Sequence, residues 1–150
     1  MTGCDMNEIK KIVAVIMLLA ICFSLLPSCS KADTKLNGKT FEFDHARVGG
    51  EYRACSPEFA ETYKDISVME YTLKTEDGKL TITGEDITRT GEYKVYKLFD
   101  DSVLYEINVG DEPGFASLSE KKLEDGTVKY TLILTIRGYY VTFSSVNKSK

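Results

Sequence analysis

The chain has 150 residues, with 19 Lys and Arg against 23 Asp and Glu for a formal charge of −4, which is room for one domain behind a leader. A mildly acidic chain with no Lys/Arg cluster lacks the electrostatic footprint that neutralises phosphates, which excludes nucleic acid as the main partner and polybasic membrane docking with it. A hydrophobic content of 43%, with 7 Phe and 9 Tyr, is enough to bury a core, and only 3 Pro argue against a disordered chain.

Residues 12–26 carry no charge, follow Lys10 and Lys11, and precede Pro27, Ser28 and Cys29. As a helix the run would reach roughly 22 Å, short of the roughly 30 Å hydrocarbon core, so it reads as the apolar region of a signal peptide over residues 1–28. Asp5 and Glu8 sit badly in a leader segment that should be basic, and a start at Met6 would remove Asp5.

Leu26, Pro27, Ser28 and Cys29 resemble the lipobox of bacterial lipoproteins, with an aliphatic residue three before the Cys and a small one directly before it. The resemblance implies that the Cys29 thiol receives a diacylglyceryl group, that the preceding peptide bond is cut, and that Cys29 becomes the first mature residue. Such a transfer needs a Cys because the thiolate is the nucleophile. Two acyl chains hold a protein on a bilayer stably where one would not. The implied location is extracytoplasmic, on the cell membrane, or on the outer membrane of a Gram-negative cell, since Ser30 is not the Asp that retains such proteins at the inner one. Cys4 and Cys22 would leave with the leader, so Cys55 would remain as the one free thiol and no intramolecular disulfide could form. A small buried apolar residue is the commoner fate of such a Cys than a reactive site.

Residues 29–35 are polar and read as a lipidated tether, with a domain over residues 36–150. From Leu36 onward the pattern has period two. Phe41 and Phe43 alternate with Thr40, Glu42 and Asp44. Ser56 is placed to cap a short helix from Pro57 to about Lys64, with Glu58 in its first turn and Phe59 and Tyr63 on one face. Met69, Tyr71 and Leu73 alternate with polar residues, Glu76, Asp77 and Gly78 supply a turn, and Leu80 and Ile82 return. Gly91 opens a run carrying Tyr93 and Val95 on one side, and Asp100, Asp101 and Ser102 turn it into Val103, Tyr105, Ile107 and Val109. Residues 110–114, with Pro113, read as a loop before a weaker strand from Phe115 to Leu123. Glu124, Asp125 and Gly126 repeat the earlier turn before Val128, Tyr130, Leu132, Leu134 and Ile136, and Gly138 turns the chain into Tyr139, Val141 and Phe143. The expected fold is all-β: an antiparallel meander of about eight strands closing into a barrel, which removes exposed edges and encloses side chains or one small ligand.

Leu36-Asn37-Gly38-Lys39-Thr40-Phe41, followed by a strand meander with Gly91-Glu92-Tyr93 in mid-chain, resembles the lipocalin-like domains of many small bacterial lipoproteins. That resemblance implies an eight-stranded barrel able to bind a ligand.

Catalysis needs titratable groups held together. Asp44, His45 and Cys55 are the only candidates for a nucleophile, base and orienter, and they lack a recognisable spacing. The same residues lack the paired His or Cys spacing of a metal site, so no metal or cofactor is expected. Glu42, Asp44, Glu70, Glu106 and Glu120 could form a glycosidase pair only if two faced one cleft, and alternation places most of them toward solvent. The inward aromatic stock is larger: Tyr71, Tyr93, Tyr105, Tyr130, Tyr139 and Phe143 could line a pocket for an amphipathic molecule, or pack as plain core with hydroxyls at the mouths. Adjacent Tyr139 and Tyr140 must point to opposite sides. The sequence thus reads as a non-catalytic, lipid-anchored binding protein. Its partner is either a small amphipathic or apolar ligand in the barrel, or an envelope or host protein docked on a barrel with a filled core.

Overall fold

The computed structural model describes residues 35–63 and 65–147. The expected leader over 1–28, the lipid-attachment residue Cys29 and the tether up to Thr34 lie outside the described residues. The elements are β1 (Thr40–Val48), β2 (Glu51–Cys55), α1 (Pro57–Ala60), β3 (Ser67–Val68), β4 (Thr72–Glu76), β5 (Lys79–Thr83), β6 (Thr88–Leu98), β7 (Ser102–Val109), β8 (Glu112–Lys122), β9 (Val128–Ile136) and β10 (Tyr139–Asn147).

Strands β4 to β10 form an unbroken antiparallel meander, and β1 closes it by pairing with β4 through Thr40–Glu42 and with β10 through Glu42–Val48. The result is a closed antiparallel barrel of eight strands. Strand β2 takes over the β4-side edge of β1 from His45 to Val48, and β3 adds to β2 in parallel, so this short flange lies outside the ring.

Alternation accounts for the core. Val103, Tyr105, Ile107 and Val109 on β7, Leu132 and Leu134 on β9, and Phe41, Phe43, Leu73, Leu80 and Phe143 elsewhere in the ring are buried on its inner side. Two-residue turns set the register of four hairpins, one of them at Gly110-Asp111. Asp77-Gly78, Arg137-Gly138 and Gly49-Gly50 each place both residues at positive φ, the conformation that suits the right-handed twist of the flanking strands. Leu36 is buried below one end of the barrel. The Thr75 hydroxyl holds it there, donating to the Leu36 carbonyl and accepting from the Lys39 amide at 3.3 Å, while Asn37 Oδ1 accepts from the Asp77 amide at 2.8 Å.

Several local expectations are corrected. The helix stops at Ala60, one turn past the Ser56 cap, instead of running toward Lys64; Phe59 and Tyr63 nevertheless stack at 5.2 Å, because the turn after Ala60 keeps them together. Pro113 does not lie in a loop: β8 begins at Glu112 and Pro113 pairs with Asn108. Val109 and Glu112 flank the two-residue turn as its hydrogen-bonded pair, so at Pro113 the missing N–H points away from β7. On that other side the β9 ladder starts only at Gly114 opposite Ile136, so no hydrogen bond is lost. The two Glu-Asp-Gly turns differ. The second is a longer loop closed by Leu123 N donating to Thr127 O, with Asp125 Oδ1 accepting from the Thr127 amide and hydroxyl.

Candidate functional site

Three places could carry function: the barrel interior, the covered outer face behind His45, and the exposed apolar side chains.

The six aromatic residues expected inside separate into three groups. Tyr105 is 0% exposed, and Phe143 and Tyr93 are buried with it in the core. Tyr71 and Tyr130 are partly buried against that core. Tyr139 departs from expectation: it is 50% exposed, because it opens β10 opposite Ile136 at the barrel rim, where no further layer of side chains covers it. Tyr140 is exposed on the other side of the same strand. Edge-to-face contacts join Phe43 to Tyr71 at 5.6 Å, Phe43 to Phe143 at 5.9 Å and Tyr93 to Tyr105 at 5.7 Å. Phe41, Tyr105 and Phe143 are almost completely covered, so these rings pack against protein atoms and not against open space. Tyr71 closes the mouth near Gly84, where a Cβ would overlap its ring, and Lys39 Nζ sits 3.9 Å from the Tyr130 ring centre at the opposite end.

A bulge at Asp44 shifts the register of β1, so that Phe43 pairs with Phe143 inside the ring while His45 pairs with Thr142 outside it. His45 also lies directly opposite Cys55 across β1 and β2. Segment α1 folds over this outer face. The His45 ring lies 5.2 Å from Tyr52 and 5.1 Å from Phe59, and Tyr63 stacks beyond. Cys55 and Thr142 are buried there, forming a small second core. His45 Nε2 is 3.2 Å from the Thr142 hydroxyl; Nδ1 is buried without a hydrogen bond, 3.7 Å from Asp44 Oδ2. Burial lowers the His45 pKa below 6.5, Asp44 opposes that shift, and Arg47 adds to it. The sequence candidates Asp44, His45 and Cys55 therefore do converge. They converge beside the Tyr52 and Phe59 rings, with the thiol fully covered. Among the described residues no group of three or more His, Cys, Asp or Glu is gathered as a metal ligand set. Of the carboxylates, Glu42, Glu70 and Glu120 are exposed, and Glu106 is paired with Lys94 at 2.6 Å.

Tyr96, which with one of Tyr139 and Tyr140 could be read from the sequence as part of an outer partner surface, is 59% exposed on the outer wall; Phe115 beside it and the apolar residues at the barrel ends are not read from the sequence. Phe115 and Tyr96 meet edge to face at 5.6 Å on the outside of β6–β8, beside a shallow depression lined by Lys94, Glu106, Asn108, Pro113, Phe115 and Thr135. Leu98 and Phe99 are exposed at the β6–β7 turn, and Val68, Met69 and Ile87 at the opposite end. Apolar residues interrupting alternation at strand ends, as in Val95-Tyr96-Lys97-Leu98-Phe99, are the only signal that could have found them.

Compared with protein-family models, with curated proteins and with solved structures, the chain matches none.

Proposed function

We propose that this protein is a lipid-anchored extracytoplasmic docking module, held to a membrane through Cys29 and using the outside of a filled barrel to bind another envelope or host protein. The observation that carries the choice is the packed interior. An eight-stranded ring has room either for its own side chains or for one small ligand, and here Phe41, Leu73, Tyr105, Leu132 and Phe143 from five strands occupy it. The likeness to lipocalin-like lipoprotein domains supports the envelope location and the barrel; ligand binding within the ring has less support. On the outer wall, the Tyr96–Phe115 pair beside the Lys94–Glu106 bridge supplies an aromatic anchor with a polar rim, the composition of a protein-docking patch. No chemistry is assigned to the module.

An apolar fluorescent reporter titrated into the purified full chain distinguishes the two binding readings. The docking reading predicts no saturable uptake. One-to-one uptake that Tyr105→Trp abolishes in a variant with unchanged circular dichroism would restore the barrel-ligand reading.

A further inference from the structure

Beyond a protein-docking wall, the end of the barrel that faces the membrane can be identified. Strand β6 outruns its neighbour: its pairing with β5 ends at Glu92 opposite Lys79, and Tyr93 N donates to Gly78 O at 2.8 Å. From Lys94 to Leu98, β6 is paired on the β7 side alone among the described residues. The bulge at Tyr96 leaves Val95 and Leu98 on the inner side of the wall, opposite Tyr105 and Val103, yet both are open to solvent, Val95 at 40% and Leu98 at 69% exposed. Phe99 follows in the turn at 48% exposed, with Lys97 Nζ 5.0 Å from its ring centre.

A second copy of the chain is a poor occupant for this edge. Lys94, Lys97 and the Tyr96 bulge are the devices that block edge-to-edge strand pairing. A bilayer surface fits better. Turns β4–β5, β6–β7 and β8–β9 share one end of the barrel, and the chain enters at that same end, where Asn37 bonds the Asp77 amide of the β4–β5 turn. Cys29 precedes Lys35 by six residues, a reach of at most about 20 Å. The described chain thus starts at this end and not at the one carrying Tyr139 and Tyr140, and an anchor six residues before Lys35 would act on the barrel from here. Leu98 and Phe99 with Lys97 between backbone and water have the make-up of an interfacial foot, the ammonium reaching the headgroups while the apolar groups sit among the upper acyl carbons. Asp100 and Asp101 complete the turn, limit the depth, and leave apolar contact to provide the attraction.

The geometry points to the β6–β7 turn, through Leu98 and Phe99, as a membrane-contacting foot that orients the barrel on the bilayer and leaves the opposite rim toward the aqueous side. This rests on the anchoring reading, and the experiment separates the two. The chain has no Trp, so Phe99→Trp, Leu98→Trp and Tyr140→Trp each install a single indole at an exposed position in the full chain. Each variant is produced in a bacterial host, checked for acylation by intact mass, and reconstituted in phosphatidylethanolamine vesicles with a minor share of phosphatidylglycerol and a doxyl quencher near the headgroups. The expected result is acylated protein whose indole at position 99 or 98 shifts to the blue and loses emission to the quencher, while the indole at position 140 does neither. Acylated protein with equal quenching at 99, 98 and 140 would overturn the foot and leave the anchor standing. Unacylated protein would overturn the anchor and the foot with it. A blue shift that follows protein concentration and ignores lipid would assign the turn to a second copy.

Discussion

The Thr142 hydroxyl lies 3.2 Å from His45 Nε2 across the seam where β1 meets β10, and both side chains face outward from the barrel, with the Phe59 ring 5.1 Å from that of His45. Ring closure and the small outer core are thus joined at one polar contact between residues far apart in the chain.

Burial of the His45 ring at this seam should make the fold sensitive to pH. Burial depresses the His45 pKa below its ordinary 6.5, so the folded state favours the neutral ring. Its contribution to stability is complete above about pH 6.5 and is lost as the pH falls through the depressed folded-state value. Urea midpoints measured between pH 7.5 and 5 should fall for the native chain and fall less for His45→Leu. Equal slopes for the two would remove His45 from the account.

Two strand glycines mark where the barrel wall bends most closely on itself. A Cβ at Gly91 would overlap the Asn108 carbonyl oxygen, and one at Gly114 the Thr135 carbonyl oxygen; both obstacles are backbone held in the ladder. Gly91→Ala and Gly114→Ala should each lower stability by about 1–3 kcal/mol, the usual cost of overpacking, with the denaturant slope unchanged.

The Thr75 hydroxyl is one of the ties on the Leu36 plug, beside Gly38 N donating to Thr75 O at 2.8 Å and Asn37 Oδ1 accepting from the Asp77 amide. Thr75→Val keeps the shape and removes the donor to the Leu36 carbonyl and the acceptor for the Lys39 amide. A loss of about 1–3 kcal/mol is expected. Amide exchange should rise first at residues 36–39, ahead of the β7–β9 core.

Cys55 is fully covered, so its thiol should resist alkylation in the native protein and react at once in urea. Fast native-state alkylation, matched to peptide by mass, would show that α1 opens readily from the β1–β2 face.

How far the sequence predicted these features depends on the residue. In β7 and β9 the inward positions are apolar or aromatic throughout, so alternation alone predicted strand and face. Strand β2 escaped because Glu51-Tyr52-Arg53-Ala54-Cys55 carries a bulge that breaks its period, although Gly49-Gly50 before it is a strong hairpin signal. Pro113 was misleading because its effect depends on which side its missing N–H faces, and that follows from the hairpin register. Tyr139 has the inward phase of its strand and is exposed only because it stands at the rim, a fact about strand length and stagger. The site was less legible than the fold. His45 and Cys55 stood out by residue type, but that they lie outside the ring follows from the single bulge at Asp44.

The proposed membrane attachment rests on acylation at Cys29. Intact and N-terminal peptide mass of the full chain after expression in a bacterial membrane tests it most directly. The expected result is a mature polypeptide beginning at Cys29 with acyl groups on that residue, replaced by an uncleaved, unacylated chain in Cys29→Ser. A mature N-terminus at any other residue, or a Cys29 peptide with a free thiol, would contradict it.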